Sequence, residues 1–341
     1  SVMFQTGTLT HAWVEFGQDT LNLRRARMEY EGQAVCHEAD HKVRLKGLQP
    51  GCKYYYRVCA QEILHYGAYN KIFGDTSVTP FFSFTLPEEN QSDFTVLVFN
   101  DLHRNSETIR LMSELADDIP HDFVVFNGDC LPDPASREDA LHMLYRLTSA
   151  FHAESVLAFF VRGNHEIRGF YSAALPSLFD QPGGHTYGAF SWGDTRFVIM
   201  DCGEDKPDEH WVYYGLNDFN AFRQAQADFL SAELKSRKFK HANRRVLIHH
   251  VPLWGNSDKF APCVDLWAPI LENAKFDIAL NGHTHRFRFH ETGKVSNPFP
   301  VCVGGGPKES EATMIVLTKK GQSMHIRVLD TDGAELKALD I

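Results

Sequence analysis

Five short apolar runs in the second part of the chain each end abruptly in polar residues. This pattern constrains the fold more than any other feature, because an apolar run of about four to eight residues is typical of a strand buried on both faces. The runs and the polar residues after them are FTVLVF before NDLH, DFVVF before NGDC, SVLAFFV before RGNHE, RRVLI before HHVP, and FDIAL before NGHTH.

Helical patterns lie between these runs. One helix is predicted from Ser136 to Phe151, where Ser136 and Asp139 fit a capping box, and another from Asn220 to Ser236. Strands that alternate with helices indicate an α/β arrangement, in which ligands bind beyond the carboxyl ends of the strands. We therefore expect the five polar clusters to meet at one edge of the fold.

The N-terminal part of the chain has a different texture. From Ser1 to about Leu86, short alternating or aromatic-rich runs such as HAWVEFG and CKYYYRVCA are broken by Gly, Pro and Asp, which predicts an all-β sandwich. The polar stretch Pro87 to Asp93 is interpreted as a linker. A chain of 341 residues exceeds the usual size of a single core, so we predict two domains, 1–90 and 91–341.

The polar clusters supply side chains that bind transition metals. These are Asp101, His103, Asp129, Asn164, His249, His250, His283 and His285. Such nitrogen and oxygen ligands suit Zn, Fe or Mn better than Ca. One ion cannot use all of them, whereas two ions about 3.5–4 Å apart can, if they share a carboxylate.

Each cluster taken alone allows a plainer interpretation. DLH alone favours a helix-capping Asp beside a surface His, and NGD alone favours a turn. The two imidazoles of GHTH are evenly balanced between a structural and a functional role. Five clusters in sequence, each after a predicted buried strand, favour a shared site.

In this order the motifs DxH, GD, GNHE, HHxP and GHxH resemble those of the calcineurin-like metallophosphoesterase superfamily, from about Phe94 to the C-terminus. The runs AWVEFG, HKVRLKGLQPGCKYYYRV and FFSFTLP resemble the fibronectin-type-III-like domain that precedes the catalytic domain in purple acid phosphatases. The resemblance implies an αββα four-layer sandwich, two β-sheets flanked by helices, preceded by an all-β sandwich. It also implies a metal-dependent phosphoester hydrolase.

The resemblance divides the ligands between two transition-metal ions, either Fe, Zn or Mn. Asp101, His103 and His285 would hold one ion, Asn164, His250 and His283 the other, and Asp129 would bridge them. His250 is preferred to His249 because the family's ligand usually lies two residues before a proline, here Pro252. His249 is left as a substrate-binding residue or as a residue that orients a ligand.

One position departs from the purple acid phosphatases, whose colour comes from a tyrosinate on ferric iron three residues after the bridging Asp. Here that position is Pro132. His103 would supply the ligand instead, as in the wider superfamily. We therefore expect no purple chromophore, and the identity of the metals stays open.

The GNHE motif carries the expected chemistry. Asn164 is expected to be a neutral ligand that adds no negative charge beside Asp129. A metal-bridging hydroxide is expected to attack a phosphate monoester, with His165 as the general acid for the leaving alcohol; a structural His in the turn is the alternative.

Glu166 is interpreted either as an orienting residue or as a solvated one. The glycine-rich loop Val303 to Glu311 is a candidate border of the substrate site.

Two other functions stay open. A phosphodiesterase or nucleotide-cleaving enzyme is the main alternative, because the same chemistry serves both, and the insertion from Asp201 to Phe219 would shape the choice. A noncatalytic binding protein is the second alternative, and the complete set of ligands speaks against it.

Composition limits the partners. With a net charge of −10 and no basic run, the chain offers no basic surface for the phosphate backbone of nucleic acids, so a small phosphorylated substrate is expected.

No stretch approaches the roughly 20 apolar residues of a membrane span, and the first residues lack the layout of a signal peptide. Export to the periplasm or the exterior, with a targeting segment absent from this sequence, is one expectation; location and oligomeric state are otherwise open.

The seven cysteines form no CxxC pair. Scattered buried thiols are the favoured interpretation, and a disulfide among Cys36, Cys52 and Cys59 stays open.

Overall fold

A computed structural model describes the whole chain, Ser1–Ile341, as two compact units. The first contains Ser1–Glu89 together with Ser177–Asp180, and the second contains Asn90–Pro176 and Gln181–Ile341. The main segment of the first unit therefore ends inside the stretch that the sequence suggests as a linker. The short segment Ser177–Asp180 belongs to the first unit although it lies far along the chain, and an ion pair of 2.7 Å joins its Asp180 to Arg44.

The first unit is all β, as the sequence predicts. Its strands are β1 (Val2–Gln5), β2 (Thr10–Gly17), β3 (Arg24–Ala26), β4 (Glu29–Tyr30), β5 (Gln33–Ala34), β6 (Asp40–Val43), β7 (Lys53–Tyr66), β8 (Lys71–Val78) and β9 (Phe82–Thr85). The main sheet has the order β3-β2-β7-β8, and β9 pairs with the start of β7. Tyr54 and Tyr56 of β7 point into a core with Val14 and Phe16, whereas Lys53 is exposed. This is the alternation of a half-buried sheet.

The second unit contains two six-stranded sheets. Its strands are β10 (Phe94–Phe99), β11 (Phe123–Asn127), β12 (Leu157–Val161), β13 (Gly188–Trp192), β14 (Thr195–Ile199), β15 (Arg244–Ile248), β16 (Ile278–Asn281), β17 (Arg288–His290), β18 (Val301–Val303), β19 (Met314–Lys320), β20 (Ser323–Leu329) and β21 (Glu335–Asp340). One sheet, here called the β10 sheet, has the order β12-β11-β10-β19-β20-β21. The other, the β15 sheet, has the order β13-β14-β15-β16-β18-β17.

The helices of the second unit are α1 (Ser106–Asp117), α2 (Arg137–Ala150), α3 (Phe219–Glu233), α4 (Arg237–His241) and α5 (Pro262–Leu271). The predicted helix at 136–151 is α2, and Oγ of its N-cap Ser136 accepts from the N–H of Asp139 at 3.1 Å. In a capping box the Asp139 carboxylate would accept from the N–H of the N-cap residue, Ser136. Here it accepts instead from the N–H of Ala135, one residue earlier. The predicted helix at 220–236 is α3.

Alternating side chains of β10 show how the layers form. Val96 and Val98 lie in a core shared with Ile248 of the β15 sheet. Phe99 belongs to the opposite face, where its ring lies 4.4 Å from that of Phe151, the C-cap of α2. On the outer face of the β15 sheet, residues of α3 and α5 such as Trp267 complete a second core. The order helix, sheet, sheet, helix confirms the expected αββα sandwich.

The five apolar runs are β10, β11, β12, β15 and β16. The first three are parallel neighbours in one sheet, and the last two are parallel neighbours in the other. The antiparallel strands that complete both sheets, such as β13 and β19, were not predicted.

All seven cysteines are free thiols, so the bridge considered among Cys36, Cys52 and Cys59 is not formed in the structure. The helices are all too short or too polar to cross a membrane.

Candidate metal centre

The residues that follow the five predicted strands converge. Two groups of metal-binding side chains form, and within each group the ligand atoms lie no more than 4.8 Å apart. The groups are Asp101, His103, Asp129 and His285, and Asp129, His250 and His283. Asp129 belongs to both groups. Asn164 lies beside the second group, with its Oδ1 2.9 Å from Nδ1 of His283.

The backbone at this edge is strained. Several of the converging residues have a positive φ, which costs an L-residue roughly 1–2 kcal/mol. They are Asp101 (51°), His103 (48°), Asp129 (54°), His283 (72°) and His285 (55°). Such strain is maintained only where the surrounding structure fixes it, and it is typical of functional sites.

Gly128 illustrates how closely the site is packed. Its φ is +83°, and a Cβ added there would lie 2.3 Å from Nδ1 of His250. The turn after β11 therefore requires glycine both for its conformation and for the position of the imidazole beside it.

Main-chain hydrogen bonds join the loops that carry the candidate ligands. The N–H of Asp101 donates to the carbonyl of Gly128 at 3.0 Å, and the N–H of His103 donates to that of Asp129 at 2.8 Å. Oδ2 of Asp101 accepts from the N–H of His283 at 2.8 Å. These bonds connect the loop after β10 with those after β11 and β16, and so fix the positions of the side chains.

The donor set fits a cation. Oδ1 of Asp101 and Nε2 of His250 are buried without a hydrogen-bond partner, an expensive arrangement unless a bound group uses them. Nδ1 of His250 lies 2.8 Å from the carbonyl of Asn127, which leaves Nε2 as the free nitrogen, 3.1 Å from Oδ2 of Asp129. Nε2 of His103 lies 3.3 Å from Nε2 of His285. Nitrogen and carboxylate ligands in this number match Zn, Fe or Mn.

The electrostatics of His250 point the same way. Burial alone lowers its pKa, but the carboxylates of Asp129 and Asp101 outweigh burial and raise the pKa to about 10. The two carboxylates therefore favour a positive charge beside them, at the position of His250.

Glu166 is completely buried, so its interpretation as a solvated residue is wrong. Its carboxylate accepts from the N–H groups of Asp129 (2.9 Å), Leu131 (2.7 Å) and Gly163 (2.7 Å). Burial and the charge of Asp129 raise the pKa of Glu166 to about 7, against these donors. Glu166 therefore connects the loop that carries Asp129 to the loop that carries Asn164.

His165 lies at the rim of the ligand cluster. Its side chain is 28% exposed, and its ring centroid lies 5.0 Å from that of His103. The His165 N–H donates to Oδ1 of Asp129 at 2.9 Å. Nδ1 lies 3.3 Å from the Asp133 carboxylate, and Nε2 lies 3.1 Å from Nη1 of Arg168, so Arg168 donates and the neutral ring carries its proton at Nδ1. The position combines contact with the cluster and access to solvent.

His249 does not face a substrate. Its side chain is fully buried, Nδ1 lies 2.8 Å from the carbonyl of Val251, and the Asn281 amide lies 3.1 Å from Nε2. Because burial leaves no surface for a substrate, the structure corrects the substrate-binding interpretation and favours a supporting role at the end of β15.

The glycine-rich loop after β18 packs against the site. A Cβ on Gly304 would lie 2.1 Å from Nδ2 of Asn100, and one on Gly306 would lie 2.3 Å from Cβ of His285. The carbonyl of Pro307 accepts from Oγ1 of Thr108 in α1 at 2.7 Å. The glycines therefore permit close packing behind His285.

Sequence reasoning missed Asp258 and Arg168. Oδ2 of Asp258 lies 2.7 Å from Nε2 of His283, on the side of the ring opposite Asn164. Arg168 makes ion pairs of 2.8 Å with Glu204 and 3.0 Å with Asp205, residues of the insertion after β14. Neither residue lies in one of the polar clusters, so no sequence signal marked them.

Three buried asparagines were also missed, although the sequence carries a signal for them. Asn100, Asn127 and Asn281 are each the first residue of a polar cluster, at or just after the end of a strand. Nδ2 of Asn127 donates to Oδ1 of Asn100 at 2.9 Å and to the carbonyl of Leu280 at 3.2 Å. Because Leu280 belongs to the β15 sheet, Asn127 joins the two sheets directly beneath the site.

Comparisons with known proteins agree with this geometry. Residues 94–287, more than half of the chain, match the family described as Calcineurin-like phosphoesterase. None of the curated proteins compared with the chain matches its sequence significantly.

Solved structures show the same fold. The purple acid phosphatase from yellow lupin (Lupinus luteus) seeds superposes with a TM-score of 0.72 and 16% identity, over 99% of this chain and 71% of that one. The structure of PhoD gives a TM-score of 0.58 and 14% identity, over 98% and 83%. A dimetal phosphatase from Danio rerio gives 0.54 and 15%, over 74% and 99%. The chain therefore belongs to the calcineurin-like phosphoesterase family and is a metal-dependent phosphoesterase, for which the family implies a dinuclear metal centre.

Proposed function

We propose that the protein hydrolyses phosphate monoesters, with two transition-metal ions (Fe, Zn or Mn) and with His165 as general acid. The observation that carries the proposal is the pair of donor groups that share Asp129. Two of the similar solved structures are those of phosphatases, which supports a monoester substrate. Two ions at such a centre supply an activated water and positive charge for the phosphate oxygens.

The residues divide between the two ions as follows. Asp101, His103 and His285 would hold one ion, and Asn164, His250 and His283 would hold the other, with Asp129 shared between them. The Asn164 amide is neutral, so it completes its group without adding repulsion beside Asp129. Its short distance to Nδ1 of His283, 2.9 Å, supports the assignment of both to one ion.

His165 would deliver the proton to the leaving alcohol. The Asp133 carboxylate accepts a hydrogen bond from Nδ1, which orients the ring. For Nε2 to hold the proton that moves to the ester oxygen, it would exchange its contact with Arg168 for one with the substrate. The partial exposure of the ring leaves room for the alcohol part of a substrate.

The first experiment measures metal content and activity together. Purified protein should carry close to two transition-metal ions per chain, and it should hydrolyse aryl monoesters faster than the matching diesters when supplied with Mn, Fe or Zn. A clear preference for diesters or nucleotides would favour the alternative phosphodiesterase. The absence of both metal and activity under all these conditions would favour a binding protein.

A second experiment tests His165. His165→Ala should keep its metals and slow the hydrolysis of alkyl esters by about 10²–10⁴. Nitrophenyl esters should be affected much less, because nitrophenolate leaves without a proton. His152→Ala, a substitution of an exposed histidine paired with Asp117, serves as the control. Equal losses with both substrates would assign His165 a positioning role, and loss of metal would place it among the ligands.

A further inference from the structure

Arg168 lies between His165 and the insertion after β14. Its Nη1 lies 3.1 Å from Nε2 of His165, the ring nitrogen opposite the one beside Asp133. Two carboxylates of the insertion hold the rest of the guanidinium. Nε lies 3.0 Å from Oε2 of Glu204, and Nη2 lies 2.8 Å from Oε1 of Glu204 and 3.0 Å from Oδ1 of Asp205. The head of the arginine is therefore fixed in one orientation.

This arrangement leaves one end of the guanidinium available. An arginine head carries five N–H groups. The two carboxylates use the N–H of Nε and both of those on Nη2, whereas Nη1 contacts only His165 in the protein. One hydrogen of Nη1 thus has no acceptor, and the other is released when Nε2 of His165 turns to a substrate. Because the side chain is 26% exposed, solvent and small molecules can reach it.

The guanidinium lies beside the candidate metal centre. Burial lowers the pKa of Arg168, but hydrogen bonding to Glu204 and the charges of nearby carboxylates, among them Asp129, raise it overall. The shared carboxylate of the two donor groups is therefore within electrostatic range of the guanidinium. Asp205 makes a second connection, since its Oδ2 lies 3.5 Å from Nδ2 of Asn164.

The charges around Arg168 balance one another. Lys206 contacts Asp205 and lies 3.7 Å from Glu204, so two cations face two carboxylates. The group therefore offers a substrate directed N–H donors more than a net positive charge. Directed donors distinguish ligands by the number and the position of their acceptor oxygens.

We propose that Arg168 is a substrate-binding residue that favours monoesters over diesters, because Nη1 donates to a non-bridging oxygen of the phosphate. This inference rests on the proposed function and assigns its preference for monoesters to one side chain. A monoester has three non-bridging oxygens and a charge of about −2, whereas a diester has one such oxygen fewer and a lower charge. In a diester an ester oxygen with an organic group replaces the third oxygen and is a poorer acceptor.

The test replaces Arg168 by lysine, which keeps a positive charge beside the buried Glu204 but lacks the planar fork. For Arg168→Lys, kcat/KM for nitrophenyl phosphate should fall by about 10- to 100-fold, the effect of losing one hydrogen bond to a charged group. The value for bis(nitrophenyl) phosphate should fall much less. Both substrates release nitrophenolate, which leaves without a proton, so the comparison does not depend on His165 as an acid.

Binding of inorganic phosphate gives a readout other than catalysis. Calorimetry on metal-loaded protein should find weaker phosphate binding in Arg168→Lys, by the same factor as the loss in kcat/KM. Arg168→Gln, which removes the charge as well, should lose at least as much in both measurements. Metal content and the unfolding midpoint of each variant verify folding.

Arg110→Lys is the matched control. Arg110 of α1 is also held by two carboxylates, those of Glu107 and Glu114, and has no contact with His165. The control should leave both esters and phosphate binding unchanged. Equal losses with monoester and diester, or unchanged phosphate binding in both Arg168 variants, overturn the inference and leave the proposed function in place if the original chain prefers monoesters. A preference of the original chain for diesters overturns both.

Discussion

Replacement of Gly128 by alanine should damage the metal centre through a single methyl group. Gly128 has a φ of +83°, which costs alanine roughly 1–2 kcal/mol. The new Cβ would lie 2.3 Å from Nδ1, 2.4 Å from Cγ and 2.7 Å from Cβ of His250, so the imidazole must move. Movement breaks the bond between Nδ1 of His250 and the carbonyl of Asn127, which is worth about 1 kcal/mol, and displaces Nε2 from Asp129.

Two quantities should therefore change in Gly128→Ala. The free energy of unfolding of the metal-free protein should fall by about 2–3 kcal/mol, the sum of the backbone strain and the lost hydrogen bond. Metal affinity should fall by about 10- to 100-fold, as happens when a ligand loses the group that orients it. Urea unfolding in the presence of a chelator measures the first quantity, and competition with a chromogenic chelator measures the second.

Gly183→Ala is the matched control. Gly183 lies in the same unit with a φ of +87°, and a Cβ there would meet nothing within 4 Å. Its substitution should therefore lower stability by the backbone strain alone and leave metal affinity unchanged. Equal metal affinities in the two alanine variants would refute the reasoning, because the position of His250 would then not depend on the absence of a side chain at residue 128.

Three further predictions concern the site and its setting. Asp258→Asn should weaken metal binding about tenfold, since Asp258 fixes the His283 ring through Nε2, whereas the exposed Asp265→Asn should not; chelator competition compares them. Iron-loaded protein should lack a strong visible charge-transfer band, because Pro132 occupies the position of the tyrosinate, and an absorption spectrum with a purple band would contradict this. Residues 91–341, if they fold alone, should bind metal and residues 1–90 should not, as elemental analysis of the two pieces would reveal.

Much of the second unit follows from local sequence. Each of the five apolar runs forms a strand, and the polar residues after them meet, because the carboxyl ends of parallel neighbours lie at a common edge. Ser136 caps the N-terminus of α2, as expected for a serine directly before an amphipathic stretch. These features depend on short-range patterns, and such patterns are visible in a single sequence.

The remainder depends on contacts between distant residues. The sequence did not reveal that β10 and β15 belong to different sheets, because a strand buried on both faces has the same composition in either. Asp258 lies in a loop without sequence periodicity. Its role depends on a contact with His283, a residue 25 positions further along the chain. The role of His249 depends on its contacts just after β15, with the carbonyl of Val251 and the amide of Asn281, which the sequence does not reveal.

Asn127 joins the two sheets beneath the site, and the candidate ligands come from both sides of that junction. Asp101 and Asp129 follow strands of the β10 sheet, whereas His250 and His283 follow strands of the β15 sheet. The side chains between the sheets, such as Val98 and Ile248, therefore act as a spacer that sets the gap between carboxylates and imidazoles. A close-packed interior transmits small changes in volume. The size of the side chains in this core therefore affects the distance between the candidate ligands, and so affects the chemistry of the site as well as folding.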